Sequence, residues 1–201
     1  MSKAKILNLD MMSLQNIDED SDLIPLMTSD DEEAISKESL PETLSILPLK
    51  NTVMFPGVVI PITASRDKSI KLIKDSNINT KLIGVVSQKD SKVQNPNLDD
   101  IQSTGTVAKI LRVLQMPDGN VTVIIQGKKR FSIEKVLCEE PYITAEIKEI
   151  KEIKPSNNNK EFNATIESIK DIALQIIEEN PNIPSEASFA IKNIQSDSFL
   201  V

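Results

Sequence analysis

The residues that could do chemistry are few, and their types exclude more than they suggest. The chain contains no histidine and one cysteine, Cys138, so a histidine-based triad, a Cys/His zinc site and an intrachain disulfide are all excluded. Cys138 is read as a buried, inert thiol. Acid–base work would fall to carboxylates, and the adjacent pairs Asp99-Asp100 and Glu139-Glu140 point their side chains apart in an extended chain; they are read as solvated loop charges. The five glycines, at 57, 84, 105, 119 and 127, are scattered, and no G-x-x-x-x-G-K-[ST] pattern exists to cradle phosphate. Lys128-Lys129-Arg130 could touch phosphate, but three charges between strands read as a soluble hairpin connection that protects strand edges. On these grounds the chain has no catalytic, cofactor-binding or metal-binding residues.

Charge sharpens the partner classes. The net charge is -7, and residues 1 to 40 hold ten acidic and three basic residues, leaving twenty of each in the remainder. A neutral body behind an acidic leader has no basic face for nucleic acid. Neither a signal-peptide apolar region nor a run of membrane-spanning length occurs, so no membrane partner and a cytoplasmic location are expected.

The elements that must position any site follow from periodicity. Residues 1–42 carry Asp18-Glu19-Asp20 and Asp30-Asp31-Glu32-Glu33 with no sustained apolar period, and are read as a flexible leader. Residues 43–154 show short Val- and Ile-rich runs, predicting strands at 44–49, 58–63, 81–87, 104–114, 121–126, 131–137 and 142–148. Pro117-Asp118-Gly119-Asn120 joins 104–114 to 121–126 as a hairpin, and Gly127-Lys128-Lys129 returns the chain into 131–137. The apolar register slips near Glu149, where a bulge or strand end is expected. A helix over 66–76, capped by Ser65 and with Ile70 and Ile73 on one face, covers one opening of the barrel. The fold class is α+β: a compact, mostly antiparallel β-barrel or sandwich with one short helix, followed by a helical subdomain.

After a linker at 155–159, Phe162, Ile166, Ile169, Ala173 and Ile176 repeat at helical spacing and the helix ends before Pro181. A second helix begins near Ser185 with Ala187, Ala190, Ile191 and Ile194 on its inner side. Ser196-Asp197-Ser198 then opens a third helix with only Phe199, Leu200 and Val201 following, so residues 160–201 are expected to be the truncated start of a helical subdomain.

Leu47-Pro48-Leu49-Lys50-Asn51-Thr52-Val53-Met54-Phe55-Pro56-Gly57 resembles the opening motif of the amino-terminal domain of the bacterial Lon family of ATP-dependent proteases, whose β domain is PUA-like. Further matches follow in order: Pro61-Ile62, Arg66-Asp67-Lys68-Ser69, Gln88-Lys89-Asp90, Asp99-Asp100-Ile101, Gly105 to Ile110, Pro117-Asp118-Gly119, Gly127 to Arg130, and Glu140 to Ala145. Lys50 stands where the family often has arginine, Ala64-Ser65 where a Val-Gly pair is common, and Gln102 where tyrosine is frequent.

The resemblance implies a non-catalytic domain that recruits unfolded or damaged polypeptide and supports assembly of a homohexamer. Its parent would be a Ser-Lys protease using ATP and magnesium in protein quality control and stress response. Met54, Phe55, Leu114 and Met116 are the candidate substrate contacts, because apolar and flexible side chains suit promiscuous recognition. The alternative is a free-standing barrel module that binds a small ligand or RNA.

Overall fold

Gly127 was expected to turn the chain, yet the strand runs straight through it. The computed structural model describes residues 38–151, 159–184 and 186–194. Its strands are β1 (Thr43–Leu49), β2 (Val59–Ala64), β3 (Leu82–Ser87), β4 (Thr104–Gln115), β5 (Val121–Cys138) and β6 (Thr144–Glu149). The two strands expected at 121–126 and 131–137 are thus one strand of 18 residues, and Lys128-Lys129-Arg130 lies inside it rather than in a hairpin connection. The ladder with β4, from Gln115 opposite Val121 to Thr104 opposite Ser132, carries β5 across the glycine, with register shifts at Thr106/Ala108 and Ile110/Arg112.

The sheet order is β2-β5-β4-β3-β1-β6, and β6 also pairs with β5. β2 takes one edge of β5 along Val121–Gln126, and β6 takes the same edge along Phe131–Cys138. The circuit β5-β4-β3-β1-β6 therefore returns to β5 in a barrel-like arrangement, with β2 laid alongside. Irregularities at Thr106/Ala108 and Ile133/Lys135 bend the long strands as this circuit requires. All pairings are antiparallel except β1 with β3, and a parallel pair needs a crossover. That crossover carries β2 and α1 (Asp67–Ile78).

α1 packs on β1 and β3, burying Leu72 and Ile73. Its amino-terminal cap is Arg66, which makes no side-chain cap bond; the capping expected of Ser65 is not formed. The hairpin turn is as expected, with Gly119 at φ 87° and the Asn120 amide donating to Asp118 Oδ1 at 3.0 Å. β6 ends at Glu149, where the register slip fell. Asp99 and Asp100 sit on a short 3-10 turn whose Asn97 amide donates to Asp100 Oδ2 at 3.0 Å, so Asp100 caps a turn. Cys138, at the end of β5, is exposed rather than buried.

Two apolar clusters fill the interior. One gathers Leu47, Leu49, Met54, Leu72, Ile73, Ile110 and Ile125; the other surrounds Phe131 with Leu44, Ile46, Val86, Val107 and Ala145. Phe131 fits because Gly84 and Gly105 lack side chains: a β-carbon on either would meet its Cζ at 2.9 Å.

Beyond the β domain, α2 (Lys160–Glu179) is capped by Asn159, whose Oδ1 accepts from the Glu161 and Phe162 amides. α2 packs against α3 (Glu186–Asn193). Of the expected stripe on α2, Ile166 is buried and Ile176 is exposed; Ile172 and Phe189, outside the expected stripes, are also exposed. Most of the leader, most of the linker and the third helix start at Ser196 lie outside the described residues.

Candidate functional site

The segment between β1 and β2 is extended but not paired as a strand, so its backbone groups must find partners elsewhere. Asn51, at φ 52°, bends the chain away from β1; asparagine tolerates this left-handed geometry. The Thr52 carbonyl accepts from Ser87 Oγ at 2.6 Å, and the Met54 carbonyl accepts from the buried Thr106 Oγ1 at 2.7 Å. The Gly57 amide donates to the Gly127 carbonyl, and the Gly127 amide donates to the Val58 carbonyl, both at 2.9 Å.

An extended segment fixed in this way alternates its side chains. Met54 points inward and is 5% exposed, while Val53 and Phe55 face outward, Phe55 at 48% exposed. The Arg130 guanidinium lies over the Phe55 ring, 6.0 Å from its centroid, at the outer limit of a cation–π contact.

The other two candidates lie elsewhere. Leu114 pairs with Thr122 near the tip of the β4–β5 hairpin, and the Met116 amide donates to the Asn120 carbonyl at 2.9 Å. Both are exposed. Ala108, the β4 partner of Gly127, is separated from Leu114 by six ladder steps, on the order of 20 Å. Phe55 with Val53, and Leu114 with Met116, are therefore two distinct apolar patches, and Met54 belongs to the core beneath the first.

Sequence reasoning missed a cleft beside the motif. It has a volume of about 300 Å³ and is walled by Leu47 to Lys50, Thr52, Pro61 to Arg66, Ser69 and Gln94. Its floor combines the end of β1 with β2, which pairs only with β5 in the sheet order. Both strands place a proline there, Pro48 and Pro61, and proline supplies no amide for an added strand. Lys50 Nζ donates to Gln94 Oε1 at 3.1 Å, and Arg66 Nη2 donates to Gln88 Oε1 at 2.5 Å. Gln88 is itself held, donating from Nε2 to the Asp90 and Val93 carbonyls at 3.3 and 3.1 Å. Burial lowers the Arg66 pKa from its ordinary value, because a partly desolvated cation is less stable. Among the described residues no carboxylate stands in the cleft wall. The only sequence signal was the pair of cations Lys50 and Arg66, which the β1–β2 connection brings to one cleft.

Among the described residues no group of three or more Cys, Asp or Glu side chains could hold a metal ion, and no helix is long and apolar enough to cross a membrane. The site offers apolar contact and positive charge.

Comparison with known proteins agrees with the geometry. A family profile described as the ATP-dependent protease La (LON) substrate-binding domain matches residues 43–201. The chain is 62% identical over 201 residues to a Lon protease of Flavobacterium johnsoniae, covering all of this chain and 25% of that protein. It is 48% identical over 179 residues to a Lon protease of Cytophaga hutchinsonii, covering 89% of this chain and 22% of that one. The chain thus spans about a quarter of the length of these relatives. Its fold is similar to that of the N terminal domain of Mycobacterium avium complex Lon protease, with a TM-score of 0.63 and 20% identity over 79% of this chain and 78% of the other.

Proposed function

The chain belongs to the family of ATP-dependent protease La (LON) substrate-binding domains, and from that membership we propose that it captures unfolded or damaged polypeptide for a Lon-type protease. The observation that carries this reading is Phe55 with Val53, turned out to solvent on a segment whose backbone is bonded to Ser87, Thr106 and Gly127. A large apolar side chain held outward on a braced segment gains from covering apolar surface on a partner, without a large ordering cost on its own side. Leu114 and Met116 form a second such patch on the hairpin, and two weak contacts on one domain suit a substrate without fixed sequence.

In this reading the chemistry belongs to the rest of the parent protein. ATP and magnesium would serve an unfolding module, a Ser-Lys pair would cleave, and copies of the chain would assemble as a homohexamer. Such a parent would work in cytoplasmic protein quality control and stress response. The free-standing alternative, a barrel recognising a small ligand or RNA, is not favoured, since the matching family is described as a substrate-binding domain of a protease.

The test is an NMR titration of the chain with a permanently unfolded, apolar-rich polypeptide. Amide shifts at Val53, Phe55, Leu114 and Met116 are expected, saturating at micromolar to millimolar ligand. Shifts confined to α2 and α3, or none on the β domain, would remove the recruiting role from this surface.

A further inference from the structure

The cleft beside the motif is bounded by two strand edges that no strand covers. Along β2 the pairing with β5 is regular, residue for residue, from Val59 opposite Gln126 to Ala64 opposite Val121. One step earlier the Val58 carbonyl accepts from the Gly127 amide at 2.9 Å. Main-chain groups of an antiparallel strand alternate between its two edges, so Ile60, Ile62 and Ala64 face β5 while Val59, Pro61 and Thr63 face away from it. The 3.1 Å contact between Thr63 Oγ1 and Thr122 Oγ1 agrees, since side chains approach most closely at pairs that exchange no main-chain bond. On β1 the Leu49 carbonyl accepts from the Gln88 amide beside β3, and the Ile46 amide donates to the Ile143 carbonyl on the opposite edge, both at 2.8 Å. Pro48 therefore faces the same edge as Ile46, beyond Ser45, where the pairing with β6 ends.

Both edges wall the cleft. Within it β1 and β2 present the carbonyls of Pro48, Pro61 and Thr63 but a single amide, that of Thr63, because proline has none. A carbonyl outside every ladder still requires a donor. We propose that the cleft takes one extended segment of polypeptide, whose own amides donate to these carbonyls and which adds a strand to the free edge of β2. The proposal rests on the reading of the chain as a polypeptide-capture domain and gives that domain a second mode of contact, through backbone rather than apolar side chains. Charge selects among segments. Lys50 and Arg66 line the cleft, each bonded to a neutral glutamine, and among the described residues no carboxylate does, so a segment that carries a carboxylate is favoured. An unfolded chain also fits better than a second copy of this one, since two β2 edges set against each other would oppose acceptor to acceptor at Pro61. Backbone pairing does not depend on side-chain identity, which suits a substrate without fixed sequence.

The test uses the full 201-residue chain and a short peptide of alternating valine and glutamate. Saturating peptide should slow hydrogen exchange at the Thr63 amide at least about tenfold, as a new ladder bond requires. The same peptide N-methylated at every residue keeps its side chains but has no donors, and it should give no slowing. The valine–glutamine counterpart should bind about threefold or more weakly at low salt. Pro61→Val returns an amide to the edge and should tighten binding about threefold or more, an effect that an apolar groove would not show. Equal protection by the methylated peptide would overturn backbone pairing. Shifts at Val53 and Phe55 with no slowing at Thr63 would keep the outer capture surface and remove the cleft, whereas slowing at Thr63 alone would keep the cleft and remove that surface. Protection that grows with protein concentration in the absence of peptide would assign the edge to a second copy and overturn the polypeptide as occupant.

Discussion

The Phe55 carbonyl rests on Gly127: a β-carbon at position 127 would run into that oxygen and would also lie 3.2 Å from Met54 Cε. Gly127 lies in β5, where its amide donates to Val58 and its carbonyl accepts from Gly57. The motif segment can therefore cross β5 only where the strand has no side chain. Gly127→Ala should destabilise the domain by roughly 1–3 kcal/mol, the usual cost of forcing atoms into a packed site. A fall in the urea midpoint with unchanged m-value would show it; a neutral midpoint would mean that the segment is free to lift.

Met54 and Phe55 are adjacent but should behave oppositely. Met54 is in the core, so Met54→Ala should cost about 2–5 kcal/mol of stability. Phe55→Ala removes an exposed ring and its long contact to Arg130, with a cost of about 1 kcal/mol or less, but it should weaken capture of an unfolded polypeptide several-fold. Denaturation and binding measured on both variants separate the two effects. Equal loss of binding in both, after correction for the folded fraction, would contradict the outward role of Phe55.

Phe131 is wholly buried between Gly84 and Gly105. Phe131→Ala should cost about 3–5 kcal/mol, because the backbone at Gly84 and Gly105, two sides of its pocket, cannot collapse onto the missing ring. Gly105→Ala attacks the same fit from the other side, since its β-carbon would meet the Val85 carbonyl oxygen at 2.5 Å. Thermal unfolding of each single variant should show a large fall in Tm. The double variant should be less destabilised than the sum if the two share one space.

Tyr142 donates its hydroxyl to Asp75 Oδ2 at 3.1 Å. Burial first, and the Asp75 carboxylate second, raise its pKa above the ordinary value of 10.0. The folded state thus favours the protonated phenol. Its contribution to stability is full below about pH 10 and is lost as pH rises through the folded-state value. The chain has one tyrosine and no tryptophan, so phenolate absorbance follows this group alone. The folded chain should titrate above pH 10 and the urea-unfolded chain near it. A folded midpoint at or below 10 would contradict the Asp75 pairing. Tyr142→Phe should lack this part of the alkaline loss of stability.

Legibility followed the range of the interactions. The hairpin at Pro117 to Asn120 was readable because a turn is set by its own residues, and the helix at Ile70 and Ile73 because one face repeats locally. Gly127 was misread because glycine marks both turns and close approaches, and only the arrival of Phe55 from another part of the chain distinguishes them. Lys128 to Arg130 looked like a loop for the same reason. Cys138 was assigned to the interior by residue type, although it is the exposed last residue of β5.

The four substrate-contact candidates were chosen by type, and type could not separate Met54, inside, from Phe55, outside. That division depends on the Thr106 hydroxyl reaching the Met54 carbonyl from a strand 52 positions away. The cleft was likewise invisible, since Lys50 and Arg66 become neighbours only when β1 and β2 wall one space.

By itself the amino-acid sequence determined that no histidine-based or phosphate-loop chemistry is available, where most of the strands and helices fall, and which family the motifs belong to. Each of these depends on residue type or on spacing within one element. Only the tertiary structure decided which motif residues face solvent, where glycine is required for passage, and which cations share a cleft. Those depend on contacts between segments distant in the chain, and no local pattern encodes them.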